Sequence, residues 1–456
     1  MAVREIQGSA GNYPTCIAEL TAAYTGRELS PVEVVETYLQ RAEKSDPELF
    51  AYTSILRNDA LAQAEAATAM IASGDVLPPL LGVPISIKDT LHIRGAISAF
   101  GSQVHRNDFA KTDSGVVARL RRAGAIFIGK TTTAEFAQSA STITRIGPPA
   151  LNPWDLSRTS GGSSGGAAVS VAAGMAMVGI GTDGGGSIRM PAAFTGLFGF
   201  KPSLGLCQDE FGFRGMTPFS SPGPISRSVA DAVRVVGVLA GRTLTPSANG
   251  PMRIAWCPDL GGRPAAPEVL AGVESVARSL AALGHSVERV DVPVAGWEKI
   301  FAVLVLEEEH RERGHLLNVA RDQLTGYMRA SLERATQLTI GDVEDARDRH
   351  RQFRHRFGHF MKNYDVVLTP TTAIPAFRLD DKPTVIAGTP IDRLWGPYPF
   401  TAPFNVAGAC AATIPCGLAD GLPIGAQLAS TGGRDLELLQ LCSELESVLD
   451  PMPLLQ

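Results

Sequence analysis

The sequence carries little excess charge, because 41 Lys and Arg residues face 46 Asp and Glu residues and the formal net charge is -5 over 456 residues. A weakly acidic overall field repels a polyanion, so general nucleic-acid binding is not expected. Long apolar runs are also missing. The longest, over residues 167–180, is interrupted by Ser170 and Gly174 and is too short for a bilayer. We therefore expect no membrane-spanning helix and no membrane partner.

The sequence also lacks a secretory leader and paired cysteine motifs. Residues 1–11 contain charges and glycines but no apolar core segment, which predicts no signal peptide and a cytoplasmic location. No C-x-x-C pair occurs, so we interpret the six cysteines as reduced core thiols rather than a disulfide framework or a metal site: Cys16, Cys207, Cys257, Cys410, Cys416 and Cys442.

Helical patterns alternate with short apolar runs along the chain. Ser30, followed by a proline and by Glu33, predicts a capped helix start. The runs at 83–87 and 125–128 predict buried strands between helices, which indicates an α/β core. No break in composition marks a domain boundary. We therefore expect residues 1–456 to form one domain, with N-terminal helices over about 1–75, a core carrying the site over about 76–240, and a remainder that completes the sheet and the substrate pocket.

Two glycine motifs suggest other functions. Residues 179–184 match G-x-G-x-x-G, but the acidic residue that a dinucleotide site needs about 20 positions further on is replaced by Ser203. Residues 161–165 match G-x-S-x-G and would place Ser163 on a nucleophile elbow. The histidines that such a site needs lie mostly in charged helical sequence: His285, His310, His315, His350, His355 and His359. Both interpretations are disfavoured.

Residues 343–362 combine an apolar stripe with many arginines and could bind RNA or a protein partner. A helix with one face in the core and its back in water explains the same pattern better. His355 and His359 lack the glutamate of a zinc protease helix, so no metal is expected there.

The most specific pattern has three parts. Lys88 ends the first apolar run, Ser163 and Ser164 lie within Gly161–Gly166, and Ser187 lies within Thr182–Arg189. Together these segments resemble the amidase signature family of serine hydrolases. The resemblance extends to further segments: Gly82–Asp89, Asn152–Asp155, Ala192–Phe194, Gly199–Pro202, Leu368–Pro370 and Gly421–Gly425.

The residue types fit amide cleavage chemically. Such a reaction needs a deprotonated nucleophile, hydrogen-bond donors for the oxyanion and an acid for the leaving amine. Three glycines precede Ser187, so backbone amides there can converge on one point. A lysine with an ordinary pKa near 10.4 is neutral in only about one molecule in a few thousand at pH 7, and burial at a strand end would lower that pKa.

The resemblance implies an amidase signature fold, with a central mixed sheet and helices on both faces. It implies that Ser187 is the nucleophile and that Ser163, in a cis peptide with Gly162, bridges Lys88 and Ser187. The oxyanion hole would consist of the amides of Gly184, Gly185, Gly186 and Ser187. Three further residues would hold the loop around Ser187 through hydrogen bonds without reacting themselves: Ser164, Asp183 and Arg189. No metal or organic cofactor is implied.

The expected function is hydrolysis of the C–N bond of a small neutral amide or carbamate by a monomer or homodimer. Alternatives are the A subunit of a tRNA-dependent amidotransferase, which carries Gln where this chain has Met190, and an allophanate or malonamate hydrolase. Segment 207–220 departs from the family pattern, which indicates a specialised substrate loop. Candidate pocket residues are Met190, Phe194, Phe211, Phe213, Arg214 and Trp395.

Overall fold

The computed structural model describes residues 14–74, 76–244, 250–453 and 455. The segment on which the absence of a signal peptide was predicted lies outside these residues. The α-helices are α1 (Ile17–Thr25), α2 (Pro31–Leu49), α3 (Arg57–Ser73), α4 (Gly115–Arg122), α5 (Gly165–Ala172), α6 (Arg189–Thr195), α7 (Val229–Leu239), α8 (Pro267–Ala282), α9 (Trp297–Arg313), α10 (Leu316–Val319), α11 (Gly326–Ala335), α12 (Ile340–Phe360), α13 (Ala402–Val406) and α14 (Asp435–Glu446).

The strands are β1 (Tyr52–Ile55), β2 (Pro84–Lys88), β3 (Ile126–Thr131), β4 (Leu151–Asn152), β5 (Asp155–Thr159), β6 (Val178–Asp183), β7 (Phe198–Lys201), β8 (Ser221–Ser226), β9 (Arg253–Trp256), β10 (Ser286–Arg289), β11 (Val366–Pro370), β12 (Val385–Ile386), β13 (Thr389–Pro390), β14 (Cys410–Ala419) and β15 (Leu422–Ser430). Short 3-10 helices cover Gln103–His105, Glu135–Ala137 and Arg321–Gln323.

Local sequence signals explain several of these elements. The Ser30 hydroxyl accepts from the Glu33 amide and the Glu33 carboxylate accepts from the Ser30 amide, which completes the predicted capping box of α2. Strands β2 and β3 occupy the two predicted apolar runs. In α12, Phe353 and Phe357 are buried while most of the arginines are exposed, as expected for a helix with one face in the core.

The central sheet is mixed, which confirms the predicted α/β class. Its eleven strands lie in the order β1-β3-β2-β6-β8-β7-β14-β15-β11-β9-β10. Strands β3, β2 and β6 run parallel to one another, as do β11, β9 and β10, whereas β8, β7, β14 and β15 pair in antiparallel fashion.

Alternate side chains of the central strands enter two separate hydrophobic clusters. On β11, Val366 and Leu368 pack into a cluster that includes residues of α2, α7, α8 and α14. Val367, between them, packs into a second cluster with residues of α9, α12 and α13. Because successive strand side chains point to opposite faces, helices cover both faces of this part of the sheet.

Three features bear on the excluded functions. Among the residues described, no helix combines the length and apolar character that crossing a bilayer requires. All six cysteines are free thiols, and four of them are buried. The G-x-G-x-x-G segment forms most of strand β6 rather than the turn that would hold a pyrophosphate.

The pairing of β2 with β6 determines where the site lies. Ile85, Ser86 and Ile87 pair in parallel with Val178, Gly179 and Ile180, so the two strands end at the same edge of the sheet. Lys88 ends β2 and Asp183 ends β6. The lysine and the serine-containing loop after β6 are therefore neighbours.

Candidate active site

Lys88 is completely buried and surrounded by neutral oxygens. Its Nζ lies 2.8 Å from the Ser163 hydroxyl, 2.8 Å from the Thr182 hydroxyl and 3.3 Å from the Thr182 carbonyl oxygen. Burial lowers the pKa of Lys88 to about 7, against the opposing attraction of the Asp183 carboxylate. A neutral amine can donate to both Thr182 oxygens and keep its lone pair for the Ser163 proton.

The carboxylate that follows Lys88 in the chain does not pair with it. Asp89 instead forms a buried ion pair with Lys130 at 3.1 Å and accepts from the amides of Ala99 and Gly101. Because this charge is already compensated, Lys88 lacks the close ion-pair partner that would keep it protonated.

Ser163 lies in the short connection between β5 and α5. The Gly162–Ser163 peptide bond is cis, as the resemblance implies. The neighbouring Ser164 fastens this connection to β6: its hydroxyl donates to the Thr182 carbonyl at 3.2 Å and accepts from the Thr182 amide at 3.3 Å. Its amide also donates to the Ser187 carbonyl oxygen at 3.1 Å. The two serine segments are thus joined through Ser164.

The Ser187 hydroxyl has no hydrogen-bond partner within the described ranges and faces a cavity, with 7% of the residue exposed. Ser163 lines the same cavity, although no hydrogen bond joins the two hydroxyls. Catalytic hydrogen bonds of this kind often form only once substrate is bound.

The loop amides divide into two groups. The Gly186 amide donates to the Asp183 carboxylate at 2.7 Å, and so it is committed to the loop rather than to a substrate oxygen. In the part of the chain that the structure describes, the amides of Gly184, Gly185 and Ser187 have no acceptor. Three of the four predicted donors are therefore unengaged, and their role as an oxyanion hole stays a prediction. Gly186 adopts φ +123°, and a β-carbon there would overlap Thr401.

A buried ion pair holds this loop from behind. Arg189 and Asp183 are both fully buried, and their side chains are joined by two hydrogen bonds of 2.9 Å. Burial alone would raise the pKa of Asp183, but the Arg189 charge and hydrogen bonds hold it well below its usual range. Arg189 also donates to the side chains of Asn405 and Gln427. The two buried charges thus have both each other and further hydrogen-bond partners, which offsets the cost of removing them from water.

The cavity beside the serines is small, with a volume of about 30 Å³. Because a single water needs about 10–15 Å³ on this measure, the space admits roughly two waters. Four of its lining residues belong to the two serine segments, namely Ser163, Thr182, Gly184 and Ser187. The others are Thr90, Leu91, Ala137, Asp209, Phe213, Gly215, Met216 and Ser220.

The predicted pocket residues occupy different places. Phe213 lines the cavity, and its ring stacks on Phe100 at 5.1 Å between centroids. Met190 and Phe194 pack in a buried cluster with Ala376 and Tyr398, and neither lines the cavity. The Met190 methyl lies beside the loop of Ser187, because a β-carbon added to Gly186 would be 3.0 Å from it. The assignment of Met190 to the acyl pocket stays a prediction.

The remaining predicted pocket residues do not line the cavity either. Phe211 is 89% exposed, and Arg214 is also exposed on the same loop. Trp395 packs against Trp297 and Phe301, and its ring lies close to Gly185 in the loop before Ser187. Within segment 207–220 the cavity is lined by Asp209, Phe213, Gly215, Met216 and Ser220, whereas Phe211 and Arg214 are exposed.

Sequence reasoning missed several residues of the site. Thr182 was regarded only as part of the nucleophile motif, although its hydroxyl contacts Lys88. Met216 lines the cavity, and Asn405 and Gln427 come from more than 200 positions away. The side-chain direction at the end of β6 could have indicated Thr182, but no local signal indicates the distant partners.

Comparisons with known proteins agree with this geometry. The Amidase family model matches residues 33–439. The chain is 32% identical to the A subunit of the glutamyl-tRNA(Gln) amidotransferase of Symbiobacterium thermophilum, with 94% of this chain and 96% of that protein covered. It is 30% identical to an acylamidase of Rhodococcus erythropolis, with 94% of each chain covered. A crystal structure of an amidase superimposes with a TM-score of 0.90 at 29% identity, covering 95% of this chain and all of the other.

The fold and these matches define an enzyme that hydrolyses carbon–nitrogen bonds. The chain belongs to the amidase family, known for its amidase signature, and its fold is that of this family. The relatives include both amidases and amidotransferase subunits, so the family alone leaves the substrate open.

Proposed function

We propose that this protein hydrolyses small neutral amides or carbamates, with Ser187 as nucleophile and with Ser163 and Lys88 as its proton relay. The observation that carries the proposal is the 2.8 Å contact between the buried Lys88 and Ser163, in a cavity that the unpartnered Ser187 hydroxyl shares. Apart from Lys88 behind Ser163, neither a histidine nor a lysine lies among the described residues at this cavity.

The reaction proceeds in two stages. The Ser187 oxygen attacks the carbonyl carbon while its proton moves to Ser163, whose own proton moves to neutral Lys88. The amides of Gly184, Gly185 and Ser187 are placed to stabilise the negative oxygen. The relay returns a proton to the leaving nitrogen, the C–N bond breaks and an ester remains on Ser187. Water, deprotonated through the same relay, then releases the acid.

The charge of the cavity supports a neutral substrate. Asp209 is the one charged residue among the described lining residues, apart from Lys88 behind Ser163. A substrate carboxylate would enter this space without a cation to pair with, and burying an unpaired charge is costly. We expect neutral amides and carbamates to exceed matched carboxylated analogues by at least about tenfold in kcat/KM.

A second candidate is the A subunit of a tRNA-dependent amidotransferase, because several of the similar proteins carry that name. Against it, Met190 stands where the resemblance places Gln in such subunits, and its side chain is buried in the cluster with Phe194. Glutamine therefore belongs in the substrate screen as a direct competitor of the neutral amides.

Two measurements test the proposal. Purified protein should turn over small neutral amides or carbamates faster than glutamine or carboxylated analogues.

A fluorophosphonate should add one label at Ser187, which peptide mapping locates. Ser187→Ala should abolish labelling and turnover, Ser163→Ala should retain some labelling, and Ser279→Ala on α8 serves as the matched control. A label on Ser163 would instead support the interpretation in which Ser163 is the nucleophile. If glutamine were the best substrate, the amidotransferase candidate would be favoured.

A further inference from the structure

The side chain of Met216 lies directly against the catalytic loop. A β-carbon added to Gly184 would lie 2.6 Å from the Met216 Sδ, so the thioether occupies the space that any larger residue at position 184 would need. Met216 and Ser187 line the same cavity of about 30 Å³. A substrate group that reaches Ser187 therefore shares this space with the methionine.

The backbone fixes Met216 in this place. It adopts φ +54°, a conformation that non-glycine residues rarely take. Its carbonyl oxygen accepts from the amides of Phe219 and Ser220, each at 2.8 Å, which closes a tight turn behind it. Residues held in such conformations persist where the surrounding contacts determine them, and they concentrate at functional sites.

The directions around Ser187 indicate which part of a substrate lies beside Met216. The leaving nitrogen must face Ser163, which returns the proton. The carbonyl oxygen must face the amides of Gly184, Gly185 and Ser187. The acyl substituent takes the rest of this cavity, whose described lining includes Met216, Leu91, Phe213 and Gly215.

We infer that Met216 determines specificity by restricting this enzyme to short acyl groups. The inference rests on the proposed function and adds the substrate class, which is amides of short-chain acids. The thioether occupies the room that a longer chain would need. Truncation of Met216 should open this room, whereas an apolar residue of similar size should preserve the restriction.

The test uses acetamide, butyramide and hexanamide, because all three release ammonia and differ only in the acyl chain. We expect the wild-type kcat/KM to fall steeply from butyramide to hexanamide. Met216→Ala should raise the ratio of hexanamide to acetamide kcat/KM at least about tenfold, the scale on which pockets discriminate methylene groups. Met216→Leu should keep the wild-type profile. Met70→Ala, on α3, is the matched methionine control.

The outcomes separate the inference from the proposed function. If the wild type releases no ammonia from any amide while Ser187→Ala behaves identically, the proposed function fails and this inference fails with it. If the wild type is active but hydrolyses the three amides equally, or if Met216→Ala and Met216→Leu share one chain-length profile, the inference alone is overturned. Met216→Val, a milder truncation, should shift the profile in the same direction and replaces the alanine variant if thermal unfolding shows that the latter does not fold.

Discussion

A fully buried lysine with neutral neighbours is the residue on which the proposed relay depends. Lys88 has three oxygen contacts, and all of them come from Ser163 and Thr182. An ammonium in this position loses its hydration without gaining a close carboxylate, so the neutral amine is favoured. The Asp183 carboxylate attracts the Lys88 charge, but it is itself paired with Arg189 in a buried ion pair.

On the proposed function, the pKa of Lys88 sets the pH dependence of activity. Because the reactive form is the neutral amine and its pKa is about 7, activity should rise as pH increases through 7 and level off above about 8. Lys88→Met should lower kcat/KM by about 10²–10⁴ and remove this inflection. Lys88→Arg, which keeps a permanent charge, should be equally inactive. Rate profiles between pH 5 and 10, with circular dichroism as the fold control, provide the measurement. An inflection near 10 in the wild type would contradict the assignment.

At the scale of elements, segment 207–220 is attached to helix α9 by three contacts. The Glu308 carboxylate accepts from the Thr217 amide at 2.7 Å, and Arg313 donates to the Arg214 carbonyl at 2.7 Å. The Arg313 guanidinium also lies over the Phe213 ring, 4.8 Å from its centroid. Glu309 fixes the guanidinium from the other side. One end of α9 therefore holds the cavity-lining loop in place.

Removing the Arg313 guanidinium should loosen the loop. Arg313→Met breaks a buried ion pair, which costs about 3–5 kcal/mol in comparable cases, because Glu309 is left with an uncompensated charge. We expect faster chymotrypsin cleavage at Phe211 or Phe213 and a higher KM.

Lys299→Met is the matched control, since Lys299 lies on the same helix with its side chain 65% exposed. Equal cleavage rates for the two variants would show that the loop does not depend on Arg313.

At the scale of the whole molecule, distant parts of the chain converge on the nucleophile loop. Arg189 contacts Asn405 from helix α13 and Gln427 from strand β15. Asn405 in turn donates to Asp183 and to the Phe219 carbonyl oxygen. The serine loop is therefore correctly shaped only when the last third of the chain has folded against it.

Asn405→Ala should weaken both stability and activity. It removes the Asn405 contacts to Asp183, Arg189 and Phe219, and each buried polar group left unpaired costs about 1–3 kcal/mol. We expect a lower Tm and a reduced kcat, with the labelled residue unchanged. Asn363→Ala, at an exposed position, is the control. A variant with wild-type Tm and kcat would show that the loop holds its shape without this amide.

Sequence reasoning predicted the elements better than their contacts. The strand that ends at Lys88 and the capped helix after Ser30 follow from local patterns, and both are confirmed. The mixed sheet came from the family resemblance and is also confirmed. The position of Met190 could not be predicted, because the direction of a side chain on a short buried helix depends on how that helix packs. Met216 left no signal either, since its approach to Gly184 arises from loop geometry.

The burial of Lys88 has a consequence for any molecule that is not fully folded. In an unfolded chain this lysine is surrounded by water and recovers its ordinary pKa near 10.4, so it carries a proton at neutral pH. On the proposed function, a nascent or damaged chain then holds the serines without a usable base. The protein would become active only when folding buries Lys88. The rate of amide cleavage would therefore report directly on correct folding.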